Sequence, residues 1–114
     1  MGEFFGPHRV WLKNQDMPGL AMSRCFGDDV AASVGVISEP EVIVKPRSKS
    51  DKFMVVASDG VWEFLSNQDV VDIVNKHPGD IKKATRAVCK ESVRKWNAEE
   101  DVVDDITCVV VLFA

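Results

Sequence analysis

Two short valine-rich runs constrain the fold of this chain most, because each lies directly beside acidic residues. The first run, Phe53–Ala57, leads into Ser58, Asp59 and Gly60, and the second, residues 106–113, follows Asp104. Short runs of apolar and β-branched residues are typical of buried strands. We therefore predict two strands with carboxylates at their ends, in surroundings poor in water. A carboxylate so placed usually needs a cation.

The composition favours one globular domain and excludes several functions. The chain has 114 residues, 46% hydrophobic and 28% charged, which suits a single folded domain. Its formal net charge of -4 argues against nucleic-acid binding, which needs a clustered excess of Lys and Arg. With no signal peptide and no membrane-spanning run in the sequence, we expect a cytoplasmic or nuclear protein without a membrane partner. The cysteines, Cys25, Cys89 and Cys108, lack a CxxC pattern and are typical of reduced thiols.

Helical periodicity appears after the first valine-rich run. Ser66, with Asp69 three residues later, is an imperfect capping box and opens a helix predicted over residues 67–77. A basic amphipathic pattern predicts a second helix over residues 80–97, which usually has a solvated charged face. A short extended piece is predicted over residues 9–12, within an N-terminal loop or arm, and a further strand over residues 41–44. The pattern indicates an α+β fold with two helices in its C-terminal half.

Four blocks of this sequence, in this order, resemble the C-terminal part of metal-dependent serine/threonine protein phosphatases of the protein phosphatase 2C type. They are PGLAMSRCFGD, GVISEPEV, VVASDGVWEFLSNQDVVD and DDITCVVV. The stretch GPHRVW is similar to the segment that closes the variable flap in many members. The resemblance covers nearly the whole chain but well under half of the family's catalytic domain. It implies a partial β-sandwich of mainly antiparallel strands with the helices packed on a sheet, residues 1–19 as a flap-like arm, and residues 20–114 as an incomplete catalytic domain.

The resemblance implies that Asp59 and Asp104 are ligands of a binuclear Mn²⁺ or Mg²⁺ centre. In such a phosphatase, metal-activated water hydrolyses phosphoserine and phosphothreonine in phosphorylated protein substrates. Hard divalent cations prefer oxygen ligands, which agrees with this assignment. Asp105 is expected to face solvent, because neighbouring side chains on a strand point to opposite faces.

Five further residues are expected to support or border this site. Gly60 would let the backbone pass close to the metal cluster, and Thr107 would support the turn by local hydrogen bonding. Arg24 and Glu63 are expected to form a partly buried ion pair with a structural role. Trp11, in the arm, is a possible contact for a phosphopeptide.

The family's remaining metal ligands, its phosphate-binding arginine and its proposed general-acid histidine belong to N-terminal motifs that this sequence lacks. We therefore expect no catalytic residue here beyond the metal ligands, weak binding of Mn²⁺ or Mg²⁺, and little or no activity of this chain alone. Exposed sheet edges would favour self-association. A pseudo-phosphatase or phosphoprotein-binding module is the main alternative. An aspartyl-nucleophile phosphatase is a weaker one, because Val61 stands where that chemistry needs an acid.

Overall fold

The computed structural model describes residues 6–113, and these divide into two compact units between Lys45 and Pro46. Helices and short antiparallel strands make up both, which confirms the predicted α+β class. Within the described residues, no helix combines the length and the apolar character needed to cross a membrane. The predicted boundary after residue 19 stays a prediction, and residues 1–5 and 114 of the two predicted ranges lie outside the described residues.

The first unit begins with a small hairpin. Strand β1 (Val10–Trp11) pairs antiparallel with β2 (Pro18–Leu20), so the extended piece predicted over residues 9–12 contains a short strand. The Arg9 guanidinium donates to the Gly19 carbonyl oxygen at 2.6 Å. This bond ties the start of β1 to the middle of β2.

A short helix, α1 (Asp29–Ala32), follows the hairpin. The Asp28 carboxylate accepts the Ala31 N–H at 3.0 Å and so caps the first turn. One backbone hydrogen bond links the segments before and after α1: the Cys25 N–H donates to the Ile37 carbonyl oxygen at 3.0 Å.

The strand predicted over residues 41–44 is wrong. These residues form no strand, and Val42, Ile43 and Val44 are 77%, 88% and 89% exposed. No backbone hydrogen bond joins residues 40–47 to any other described residue. Strand propensity reflects the fit of side chains to a neighbouring strand, and here the neighbour is missing.

In the second unit, three helices lie in the sequence between two strands that pair with each other. Its elements in order are β3 (Phe53–Ala57), α2 (Asp59–Trp62), α3 (Asn67–Asn75), α4 (Ile81–Glu99) and β4 (Cys108–Leu112). The strands β3 and β4 pair antiparallel with Val55 opposite Val110. Both predicted C-terminal helices are present, with ends that differ from the prediction by at most two residues. Ser66 and Asp69 form a complete capping box at the start of α3.

The core of the second unit follows from two periodicities. Alternate residues of β3 and β4 point inward, while residues four apart on α3 and α4 form the facing stripe. The buried residues of this core are Val61, Leu65, Val70, Val74, Ala84, Val88 and Val110. Packing of α3 and α4 against one face of the sheet holds the ends of β3 and β4 in place, and those ends carry the predicted site.

Candidate metal centre

Ser58 joins the two chain segments that carry the predicted metal ligands. Its N–H donates to the Thr107 carbonyl oxygen at 2.9 Å, and its hydroxyl accepts the Thr107 N–H at 3.0 Å. The same hydroxyl donates to the Asp105 carbonyl oxygen at 3.2 Å. Ser58 is also the residue before α2, but its side chain does not cap that helix. The hydroxyl is used instead to extend the β3–β4 pairing toward Asp59 and Asp104.

Gly60 makes the second close contact between these segments. A Cβ built at this position would overlap the Asp105 carbonyl oxygen, and would also lie 3.0 Å from a side-chain carbon of Ile106. The backbones can approach only because Gly60 has no side chain. This close approach is to the Asp105 backbone, and the predicted passage of the Gly60 backbone beside a metal cluster stays a prediction.

Trp96 also bonds to the backbone of Gly60. Its indole Nε1–H donates to the Gly60 carbonyl oxygen at 2.7 Å. The Trp96 ring also makes an edge-to-face contact with Phe64, with ring centroids 4.8 Å apart, a favoured aromatic geometry. Trp96 therefore anchors the first turn of α2, which carries Asp59, to helix α4.

Asp59 and Asp104 are exposed, so the prediction that they lie in surroundings poor in water is wrong. The cause is where the strands end. Strand β3 stops at Ala57 and β4 begins at Cys108, which leaves Asp59 in the first turn of α2 and Asp104 in a loop. Among residues 6–113, neither carboxylate takes part in an ion pair.

The Asp105 side chain is exposed as expected, but strand alternation is not the reason. Alternation of side chains applies within a strand, and Asp105 precedes β4. What orders the local backbone is a hydrogen bond from the Asp105 N–H to Oδ1 of Asp104 at 2.7 Å.

Thr107 supports the site through its backbone, and the partner, Ser58, is distant in sequence. Within the described part of the chain, its hydroxyl makes no hydrogen bond. Sequence reasoning missed Ser58 and the contact of Trp96 with Gly60. A hydroxyl between a strand and an acidic turn is a usable signal for Ser58, since serine side chains readily bond to nearby backbone. The contact of Trp96 spans 36 positions, and no local pattern announces it.

The remaining predicted residues lie in both units. In the first unit, the Arg24 guanidinium donates to the Glu39 carbonyl oxygen at 3.1 Å and lies 3.7 Å from the Glu41 carboxylate. In the second, Glu63 follows α2, and its N–H donates to the Asp59 carbonyl oxygen at 2.8 Å. The pairing of Arg24 with Glu63 stays a prediction. Trp11 is half exposed and packs beside Gly19, and its contact with substrate also stays a prediction.

The donors at this site suit a hard divalent cation in kind. Asp59 and Asp104 offer carboxylate oxygens, the ligands that Mn²⁺ and Mg²⁺ prefer. Their number is small, because the described residues contain no group of three or more His, Cys, Asp or Glu side chains able to hold an ion. The assignment of Asp59 and Asp104 as metal ligands stays a prediction, and two carboxylates alone make an incomplete set for such an ion.

Comparison with known proteins gives one consistent result. The sequence model of the family described as "Protein phosphatase 2C" matches residues 7–105. "Probable protein phosphatase 2C 34" of Arabidopsis thaliana is 43% identical over 110 residues, which are 95% of this chain and 30% of that protein. "Probable protein phosphatase 2C 48" of Oryza sativa subsp. japonica is 40% identical over 95% of this chain and 31% of its own length.

A solved structure shows the same fold. The "serine-threonine phosphatase 2C from Toxoplasma gondii" superposes with a TM-score of 0.75 at 24% sequence identity, over 83% of this chain and 30% of that one. The chain thus spans about three tenths of the length of these proteins.

Proposed function

The chain belongs to the protein phosphatase 2C family, and we propose that it is the C-terminal part of a metal-dependent protein serine/threonine phosphatase. In this proposal Asp59 and Asp104 are two ligands of its Mn²⁺ or Mg²⁺ centre. The substrates of the whole enzyme are proteins that carry phosphoserine or phosphothreonine. The relatives span more than three times the length of this chain, and the whole enzyme draws its other ligands from that additional sequence.

One observation supports the proposal most directly. Ser58 and Gly60, the two neighbours of Asp59, both contact the carbonyl oxygen of Asp105, which directly follows Asp104. Two acids far apart in sequence are therefore carried on backbone segments that touch. Neither acid has a cation partner among the described residues, so both remain available to a metal ion.

The chemistry divides between the ion and this chain. Divalent ions, when bound, activate water as the nucleophile and neutralise the phosphate oxygens. Asp59 and Asp104 bind and orient the ions. Ser58 and Trp96 position the acids by fixing the backbone of the turn and of the facing loop, and Gly60 permits the close approach. Such ordering matters because residues that orient ligands contribute to metal affinity.

Two carboxylates hold a hard cation weakly, so the isolated chain should be inactive or nearly so. The direct test is titration of the chain with Mn²⁺, in which electron paramagnetic resonance measures the concentration of the free ion. Phosphopeptide hydrolysis is measured in parallel. We expect weak binding that Asp59→Asn and Asp104→Asn each abolish, and no turnover. Asp51→Asn is the matched control, because Asp51 lies in the exposed loop before β3 and bonds to Ser48. Robust turnover by this chain alone would refute the incomplete-site proposal.

The small number of donors also favours a second candidate, a phosphoprotein-binding module without turnover. Phosphopeptide affinity separates the two candidates. A binding module holds the phosphopeptide in the presence of a chelator, whereas a piece of a metal-dependent enzyme requires the ion.

Two further properties accompany the proposal. Self-association through exposed sheet edges is supported by the two-stranded sheet of the second unit, in which both strands have an open side among the described residues. A cytoplasmic or nuclear location is supported by the free thiols of Cys25, Cys89 and Cys108.

A further inference from the structure

The outer edge of β4 presents unused backbone hydrogen-bonding groups. The Phe113 N–H donates to the Lys52 carbonyl oxygen at 2.9 Å, and the Ser58 N–H donates to the Thr107 carbonyl oxygen at 2.9 Å. Hydrogen-bonded pairs alternate along an antiparallel ladder, so these two pairs fix which residues bond across it. The β4 residues that direct their N–H and C=O groups away from β3 are Cys108, Val110 and Leu112.

A groove runs beside this edge. It has a volume of about 380 Å³ and lies between the N-terminal half of α4 and the first part of β4. Helix α4 lines it with Ile81, Lys82, Thr85 and Arg86. Neither Lys82 nor Arg86 pairs with an acid elsewhere in residues 6–113. The groove therefore offers main-chain partners on one wall and two unpaired cations on the other.

The outer edge of β3 is a poorer docking site. By the same alternation, Ala57 directs its carbonyl oxygen outward there, but the Trp62 indole N–H already donates to that oxygen at 3.1 Å. An added strand would have to displace the Trp62 ring. The β4 edge has no comparable side-chain bond among the described residues.

The chain itself contains a segment that suits the β4 edge. Residues 41–44, Glu-Val-Ile-Val, are exposed and use no backbone group in a hydrogen bond with any described residue. Among the described residues, the only ion-pair partner of Glu41 is Arg24, at 3.7 Å across an exposed surface, and such a contact is weak. An acidic, β-branched segment without a neighbour is the chemical complement of a basic groove beside an open strand.

Side-chain alternation selects one placement of this segment. With Glu41 and Ile43 facing α4, the carboxylate meets Lys82 and Arg86 and the isoleucine meets Ile81. Val42 and Val44 then extend the other face of the sheet. That face is apolar and exposed, and its residues are Met54, Val56, Val109 and Val111. A shift by one residue would place Glu41 on the apolar face and leave both cations unpaired.

We propose that residues 41–44 of one copy of this chain bind as a third strand to the β4 edge of a second copy, with Glu41 against Lys82 and Arg86. The proposal deepens the self-association proposed above and names its surface and its occupant; it is independent of the phosphatase chemistry. Main-chain hydrogen bonds supply affinity in such strand addition, and the side chains supply specificity. Because each copy carries both the strand and the edge, the contact can be made reciprocally in a closed dimer.

The test is the mass of the intact chain in solution, measured by sedimentation equilibrium over a range of protein concentrations. The unaltered chain should form a dimer. Ile43→Pro, which removes a donor from the added strand, and Arg86→Glu, which repels Glu41, should each weaken dimerisation by at least tenfold. Lys76→Glu is the matched control, because it makes the same charge change on an exposed residue at the end of α3 and should leave the dimer unchanged.

Charge reversal gives a sharper test. Glu41→Lys and Arg86→Glu chains should each dimerise poorly alone but form a heterodimer when mixed, which a folding defect cannot produce. A monomer at every concentration would overturn self-association and this contact together. A dimer that Ile43→Pro and Arg86→Glu leave intact would overturn this contact alone, and neither result bears on the metal centre.

Discussion

The Ser58 hydroxyl accepts the N–H of Thr107 at 3.0 Å and donates to the neighbouring Asp105 carbonyl oxygen at 3.2 Å. This one side chain therefore closes the gap between the end of β3 and the loop before β4. Asp59 lies beside Ser58 in the chain, and Asp104 lies beside Asp105. The position of both candidate ligands depends on a residue that binds no metal itself.

Replacement of Ser58 by alanine should destabilise the fold and lower the affinity for Mn²⁺. Two hydrogen bonds are lost, each of which contributes about 1 kcal/mol, so urea unfolding should show a loss of about 1 to 2 kcal/mol. Thr107→Val is the matched control. Since Thr107 bonds through its backbone, removal of its hydroxyl should change the unfolding free energy little. Equal losses in the two variants would contradict the assignment of the bridge to the Ser58 hydroxyl.

Replacement of Gly60 by alanine should be more disruptive than the same change at Gly79. The new methyl group at position 60 meets the backbone oxygen of Asp105, which can move only with its whole loop. Overpacking of this kind costs about 1 to 3 kcal/mol or more. At Gly79, φ is +77°, and an added Cβ would have no atom within 4 Å apart from those of its chain neighbours. Alanine there meets only the strain of a left-handed backbone, about 1 to 2 kcal/mol.

The two effects at these glycines are separable by metal titration. Gly60→Ala should weaken Mn²⁺ binding, because it forces the loop before β4 away from the turn that carries Asp59. Gly79→Ala should lower stability and leave the affinity for Mn²⁺ unchanged. The interpretation of Gly60 fails if the two variants bind Mn²⁺ equally well.

Local pattern predicted β3, α3, α4 and β4 because each of them buries a face that its own sequence encodes, whereas the short helix α2 was not predicted. The valine alternation of β4 and the spacing of Val70 and Val74 on α3 are both satisfied by contacts within the second unit. Residues 41–44 have the same β-branched character, yet they form no strand, because strand formation also requires a neighbour. The sequence shows the propensity but not the partner.

The sequence predicts which two acids form the candidate site, but it does not predict their exposure. Asp59 and Asp104 follow from motif and chemistry, whereas their exposure depends on where β3 and β4 end. Strand ends are decided by pairing across the sheet, here by Ser58 with Thr107. The bond from Trp96 to Gly60 joins α4 to α2 in three dimensions. No periodic pattern in the sequence connects Trp96 with Gly60.

Replacement of Trp96 by phenylalanine should separate the two roles of this side chain. Phenylalanine keeps an aromatic ring against Phe64 but has no N–H for the Gly60 carbonyl oxygen. We expect a loss of about 1 to 3 kcal/mol in unfolding free energy, the usual cost of leaving such a group unsatisfied, together with weaker Mn²⁺ binding. Trp62→Phe removes a comparable bond, to Ala57. It should destabilise the chain with a smaller effect on metal affinity, since the Trp62 indole bonds to β3 and not to the turn at Gly60.

The capping box of α3 should make stability depend on pH in the acid range. Hydrogen bonds from the Ser66 side chain and backbone N–H hold the pKa of Asp69 below its ordinary value. A carboxyl with a lowered pKa in the folded state stabilises that state above its unfolded pKa, and the contribution is lost as the pH falls through the folded pKa. Urea unfolding followed from pH 7 to pH 2 should therefore show a loss below about pH 4 that Asp69→Asn reduces. Asp51→Asn, in the loop before β3, is the control for general loss of a surface carboxylate. The same acid-dependent loss in both variants would contradict a specific contribution of Asp69.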